Sequence, residues 1–317
     1  MNEIRRRIDE ELSELTFDSI PEYKRKALTT TRKDIHMKLN KKAMAISVAA
    51  AVAVGCAVSA GAATGWDYSR LIKGFFPETE NTETTTLLLE SAIQTIDPQD
   101  VSNTFVNYHI SFDGAIFDGN VLMVSATVKN KDGSPFTDSN YDFGSIRFPE
   151  GTKGGVGGCE LNGDGSLRLY CTMIYGSADE FPTAEYSFEG LVRYPDDPAR
   201  SELLDSGSLS ARFTLDDSCE TRTFMLTDHD GDAVEALLSP ISVKLIMPKP
   251  ISNEELYKYE QITISGENGA ILTQQDRVFG GSELNPKTGI ENYIMCFRSP
   301  IDISAVTSIT GEAYITG

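Results

Sequence analysis

Hydrophobic and polar positions change texture four times along this chain. Ile4, Ile8, Leu12 and Leu15 recur at helical spacing, with Arg5, Arg6, Arg7, Asp9, Glu10 and Glu14 on the other faces. The first stretch therefore predicts an amphipathic helix of about four turns. Ser19 ahead of Pro21 suits the N-cap and first turn of a second short helix. From Ala43 to Trp66 there are 24 residues without a charged side chain. A helix of that length reaches about 36 Å, against a hydrocarbon core of about 30 Å, which predicts one transmembrane helix. The Thr/Glu-rich run over residues 77–86 has no apolar period and reads as a stalk, followed by a short helix-like patch from Leu87 to Gln94.

From about Val101 the pattern turns to strands. Phe105, Asn107, His109 and Ser111 alternate with Val106, Tyr108, Ile110 and Phe112, and Asp118-Gly119-Asn120 supplies a turn into Val121–Val128. Further strands are predicted over Ser166–Tyr175, Ala184–Tyr194, Ser208–Leu215, Thr221–Leu226, Ile241–Met247, Gln261–Ser265, Ala270–Thr273, Asn292–Arg298 and Glu312–Thr316. Short strands punctuated by turns indicate antiparallel β-sandwich modules. The expected fold is mainly β: short cytoplasmic helices, one crossing and extracytoplasmic sandwiches. The expected divisions are 1–42 (inner segment), 43–66 (crossing), 67–100 (stalk), 101–230 and 231–317 (two modules).

Charge gives this arrangement a direction. Residues 1–42 carry 11 Lys+Arg and 8 Asp+Glu; the whole chain carries 28 and 47, which leaves 17 and 39 from residue 43 onward. A Lys/Arg excess marks the cytoplasmic flank, so the N-terminus is expected inside and the C-terminal region outside. Two other readings of the uncharged run stay open. Ala60-Gly61-Ala62 fits a signal-peptide cleavage site, although the basic stretch before it is long for one. Ten of the 21 residues from Ala43 to Ala63 are Ala, so a buried soluble helix is the other.

Ser47, Ala51, Gly55 and Ser59 fall every fourth residue, a small-residue ridge that permits close helix approach in lipid, though any Ala-rich helix produces such ridges. The inner helices are too short to be stable alone. Ile4, Ile8, Leu12 and Leu15 therefore need a partner: membrane lipid, a second copy, or a cytoplasmic protein. Direct nucleic-acid binding is not expected, because Glu3, Asp9, Glu10, Glu11 and Glu14 oppose phosphate.

Cys159 and Cys171 flank the turn Asn162-Gly163-Asp164-Gly165. A disulfide between adjacent strands is the expectation, with two buried thiols as the alternative. Cys219 and Cys296 are a further candidate pair joining the two modules, and Cys56 reads as a small hydrophobe.

Catalytic and cofactor patterns are missing from the sequence. It has three histidines, no Gly-x-Ser-x-Gly elbow and no His-Glu-x-x-His. The glycines of residues 151–158 lack the Lys-Ser/Thr ending of a phosphate loop and read as a flexible loop. Asp228, Asp230 and Asp232 resemble part of a calcium loop, but Ser239 stands where the distal acid belongs, which favours a plain turn. No catalytic residue, cofactor or metal is expected.

The layout, together with Phe117-Asp118-Gly119-Asn120, Leu238-Ser239-Pro240-Ile241-Ser242-Val243 and Phe297-Arg298-Ser299-Pro300-Ile301-Asp302-Ile303, resembles the anti-sigma-factor-like single-pass envelope proteins of Gram-positive bacteria. The resemblance implies an inner segment that holds an RNA polymerase sigma factor and an outer region that senses an envelope condition. The Cys/His cluster of the zinc-type anti-sigma fold is absent from residues 1–42. The alternative is a surface binding or adhesion protein, with an unknown extracellular ligand and a purely topogenic inner segment.

Overall fold

The computed structural model describes residues 68–77, 82–94, 96–176, 178–194, 196–197, 199–252, 257–284 and 288–315. The expected inner helix with Ile4, Ile8, Leu12 and Leu15, and the expected crossing with Ser47, Ala51, Gly55 and Ser59, lie outside these residues. No helix among the described residues is long and apolar enough to cross a membrane.

Among the described residues two helices, α1 (Tyr68–Phe75) and α2 (Thr82–Leu89), precede a chain of strands. The first eight strands are β1 (Val101–Asn103), β2 (Tyr108–Phe117), β3 (Val121–Asn130), β4 (Tyr141–Arg147), β5 (Thr152–Leu161), β6 (Leu167–Tyr175), β7 (Thr183–Arg193) and β8 (Glu202–Thr214). They form two antiparallel four-stranded sheets, ordered β2-β3-β6-β5 and β1-β8-β7-β4. Leu122, Val124 and Leu169 of one sheet and Phe143, Phe188 and Leu209 of the other share a single core between them. The mainly β, antiparallel reading of the sequence holds here.

The remaining strands are β9 (Arg222–Asp228), β10 (Ala233–Leu238), β11 (Ser242–Ile246), β12 (Ile262–Gly266), β13 (Gly269–Leu272), β14 (Arg277–Leu284), β15 (Glu291–Phe297), β16 (Val306–Gly311) and β17 (Tyr314–Ile315). They form one continuous sheet in the order β13-β12-β16-β17-β9-β10-β11-β15-β14. It curls around a second core, to which Val234, Leu245 and Met295 contribute from one half and Ile264, Val306 and Ile309 from the other. The passage between sheet systems falls between Thr214 and Arg222, ahead of the expected division after residue 230.

β3 shows why a third core exists. Side chains alternate across a strand. Leu122, Val124, Ala126 and Val128 enter the sandwich core, and Val121 and Met123 point to the other face. That face is covered rather than wet. Leu71 and Ile72 from α1, Phe76 just after it, Leu89 of α2 and Ala92 beyond it pack there with Ile241 of the β10–β11 turn and Ile294 and Cys296 of β15. Burying each large apolar side chain contributes about 1.5–3 kcal/mol. The segment expected to be a stalk therefore includes part of a core. Gly114, in the bulge of β2 at φ +142, makes room for it: a Cβ there would lie 3.1 Å from the Leu71 side chain.

The glycine run expected as a flexible loop is strand β5, whose partner is β6 with Gly155 opposite Met173 and Gly157 opposite Cys171. Glycine disfavours strands by propensity, but backbone hydrogen bonds to a neighbouring ladder need no side chain.

Candidate functional site

A buried polar site lies where the sandwich meets the nine-stranded sheet. It is built from the three motifs that carry the sequence resemblance. The β2–β3 turn brings Asp118 inward. Its Oδ1 accepts from the backbone N–H of Asn120 at 2.9 Å and of Val121 at 2.7 Å. Its Oδ2 accepts from the hydroxyls of Ser239 and Ser242, each at 2.5 Å. Ser239 precedes Pro240 in the β10–β11 turn, and its Oγ in turn accepts from the Ser242 N–H at 2.9 Å. The third motif closes over them. Phe297 N–H donates to Ile241 O and Ile301 N–H donates to Pro240 O, both at 2.9 Å.

Asp118 and Ser239 are 1% exposed and Ser242 is 0% exposed. A buried carboxylate is tolerated only when its lone pairs are satisfied, and here four donors reach it. The chemistry supported is a sealed clamp between two sheet systems. Cys219 and Cys296 lie in the same buried cluster. Burial, reinforced by the Asp118 charge, pushes the Cys219 thiol up to about 12 and the Cys296 thiol up as well.

A second polar cluster fastens α1. Arg70 reaches Asp164 at 2.8 Å and the Thr127 hydroxyl at 3.4 Å. Arg168 lies over the rings of Phe75 and Tyr170, at 5.2 and 4.3 Å, and pairs with Glu160 at 2.7 Å. Beneath them Asp113 accepts from Ser125 at 2.9 Å and Thr127 at 2.8 Å. Desolvation raises its carboxyl above the ordinary value, against the opposing pull of Thr127, Ser125, Arg70 and Arg168. Arg70 and Asp113 carried no motif signal in the sequence.

Asp228, Asp230 and Asp232 do converge, and their carboxylate oxygens lie within 4.8 Å of one another. The position a cation would take is held by the Lys249 ammonium, 3.7, 2.5 and 2.9 Å from the three acids. Asp228 Oδ1 also accepts from the N–H groups of Asp230 and Asp232, which makes the segment a capped turn.

The pairing of Cys159 with Cys171 is not made, and both are free thiols, as are Cys219 and Cys296. The register explains it: Cys159 stands opposite Leu169 and Cys171 opposite Gly157. The two cysteines are diagonal neighbours, whose roughly 7–8 Å spacing exceeds disulfide reach.

One open groove of about 610 Å³ lies at the β12 side of the nine-stranded sheet, among Gln261, Thr263, Gln274, Gln275, Thr310 and Glu312.

No protein-family model and no curated protein matches this chain. Likeness to a solved structure, "The crystal structure of the conserved domain protein from Bacillus anthracis", extends over 70% of this chain and 77% of that one. It comes at 12% identity with a TM-score of 0.42, too slight to carry an argument about fold or activity.

Proposed function

We propose that this chain is a non-enzymatic, single-pass membrane regulator resembling an anti-sigma factor. Residues 43–66 cross the membrane, and the inner helix binds a cytoplasmic protein through Ile4, Ile8, Leu12 and Leu15. The β region outside senses an envelope condition. One observation carries the reading. Helix α1 starts at Tyr68, two residues beyond Trp66, and its Leu71 and Ile72 are fully buried at the meeting of the sheet systems. An anchor that only tethers a surface protein has no need of such a seat. A regulator does, because a change in the β body must be felt by the segment ahead of α1.

The test is capture from the producing cells with residues 1–42 as bait. Replacing Ile8 and Leu12 with Asp removes the apolar face and is expected to abolish recovery of the partner, a sigma factor being the leading candidate. Undiminished recovery would reject the reading. The second reading, a membrane-anchored surface binding protein, draws on the open polar groove. On that reading, exchanging residues 1–42 for an unrelated basic leader leaves function intact.

A further inference from the structure

We propose that the groove beside β12 binds a neutral saccharide. This extends the sensing role above by naming the chemistry of the ligand, and it depends on that role only for where the sugar is met.

The groove is lined by hydrogen-bonding groups that the fold leaves unused. Thr263 and Thr310 are cross-strand partners on β12 and β16, and Gln261 lies just ahead of β12, beside them in the groove. Gln274 and Gln275 sit in the short 3-10 turn that follows β13 and form the wall. None of these five side chains makes a hydrogen bond among the described residues. Each carries groups that both donate and accept. Such a set suits a ring of hydroxyls, each of which also does both.

The wall is held in place before any ligand arrives. Asp276 accepts from the Thr273 N–H at 2.7 Å and the Thr273 hydroxyl at 3.0 Å, closing a capping box around the turn. Arg298 N–H donates to Asp276 O at 2.7 Å. Pre-organisation of this kind reduces the ordering cost of binding.

Charge and shape narrow the ligand. Among the described residues Glu312 is the one ionisable carboxylate lining the groove, and the chain carries a net charge of −19. Anionic polymers are therefore disfavoured. A peptide would need pockets for its side chains. The apolar hollow bounded by Ile264, Leu272 and Met295 holds about 10 Å³, too little for one. The groove itself, at about 610 Å³, has the size of ordinary small-ligand sites, about 300–1,000 Å³. It is open and polar, so affinity in the range of about 0.1–1 mM is expected.

The test uses the purified chain, residues 1–317, in detergent, with titration followed by calorimetry and saturation-transfer NMR. The probes are chitotetraose and maltotetraose as neutral sugars, a galacturonic acid trimer as an anionic sugar, and tetra-alanine as a peptide. Saturable binding of either neutral sugar is expected. It should weaken about tenfold in Gln274→Ala/Gln275→Ala, which removes exposed side chains that hold nothing in the fold. The proposal is overturned if neither neutral sugar binds by about 10 mM. It is equally overturned if the double variant binds as well as the parent, or if the anionic sugar or the peptide is preferred. Sugar binding that fails while capture by residues 1–42 still depends on Ile8 and Leu12 overturns only this proposal. Lost dependence on Ile8 and Leu12 rejects the regulator and leaves the sugar site standing.

Discussion

The Ser239 hydroxyl donates to the Asp118 carboxylate at 2.5 Å across 121 positions of sequence. That bond joins the β2–β3 turn of the sandwich to the β10–β11 turn of the curled sheet. Removing Asp118 strands two backbone N–H groups and two hydroxyls in a dry site. Asp118→Ala is therefore expected to cost about 3–5 kcal/mol in urea unfolding, and Ser239→Ala about 1–2 kcal/mol. The double variant separates their coupling from their sum. Additivity to within about 0.3–0.5 kcal/mol would show that the clamp is not a unit.

Asp113 and Asp230 should give opposite pH responses. The Asp113 carboxyl is raised above 3.8, mainly by desolvation. Its protonated form is favoured in the fold, so its contribution is present below 3.8 and lost as pH rises through the folded value. The stability of Asp113→Asn relative to the parent should therefore climb over that window. The Asp230 carboxyl is lowered by the hydrogen bond and charge of Lys249. Its contribution is present above the ordinary 3.8 and fades as pH falls through the lowered folded value. The destabilisation caused by Lys249→Met should accordingly shrink in acid. Parallel pH slopes for the two variants would contradict both assignments.

Because the Lys249 ammonium occupies the centre of the acidic turn, millimolar calcium should leave the unfolding midpoint of the parent protein unchanged. A calcium-dependent rise in that midpoint, lost in Asp230→Ala, would show that the lysine gives way to the ion.

The four described cysteines should all be thiols, and slow ones. With Cys159 and Cys219 each pushed up to about 12 by burial, few thiolates exist near neutrality. Iodoacetamide at neutral pH should leave the folded chain essentially unlabelled at Cys159, Cys171, Cys219 and Cys296, and should label all four in denaturant. A peptide pair linked between Cys159 and Cys171 in non-reducing mass spectrometry would refute the register given above.

Strands rich in apolar residues and bounded by turn signals were legible in the sequence: β3, β6 and β7 fall where Val121–Val128, Ser166–Tyr175 and Ala184–Tyr194 place them. β5 was not, since its glycines carry no alternation and its strand character comes from β6. Helix α1 was hidden for a different reason. Eight residues hold barely two turns, and Arg70 and Lys73 on either side of Leu71 and Ile72 look like a solvated connector until a sheet face is supplied to cover the leucine and isoleucine. The Asp118 clamp is the extreme case. Its turn was visible, but nothing local in the residues around Ser239 and Ser242 announces an acceptor more than a hundred positions upstream. Serines on either side of a proline satisfy a local turn equally well.

Strand β17 is two residues long and stands between β16 and β9, in the interior of the nine-strand order. Tyr314 pairs with Asp228 on one side and with Gly311 on the other. The curled sheet thus has a keystone, and it is supplied by residues 314–315. Until they arrive, three strands wait on one side and five on the other with unpaired edges. Closure of this half of the protein thus depends on a long-range pairing, and without it the flanking edges stay open to a wrong partner.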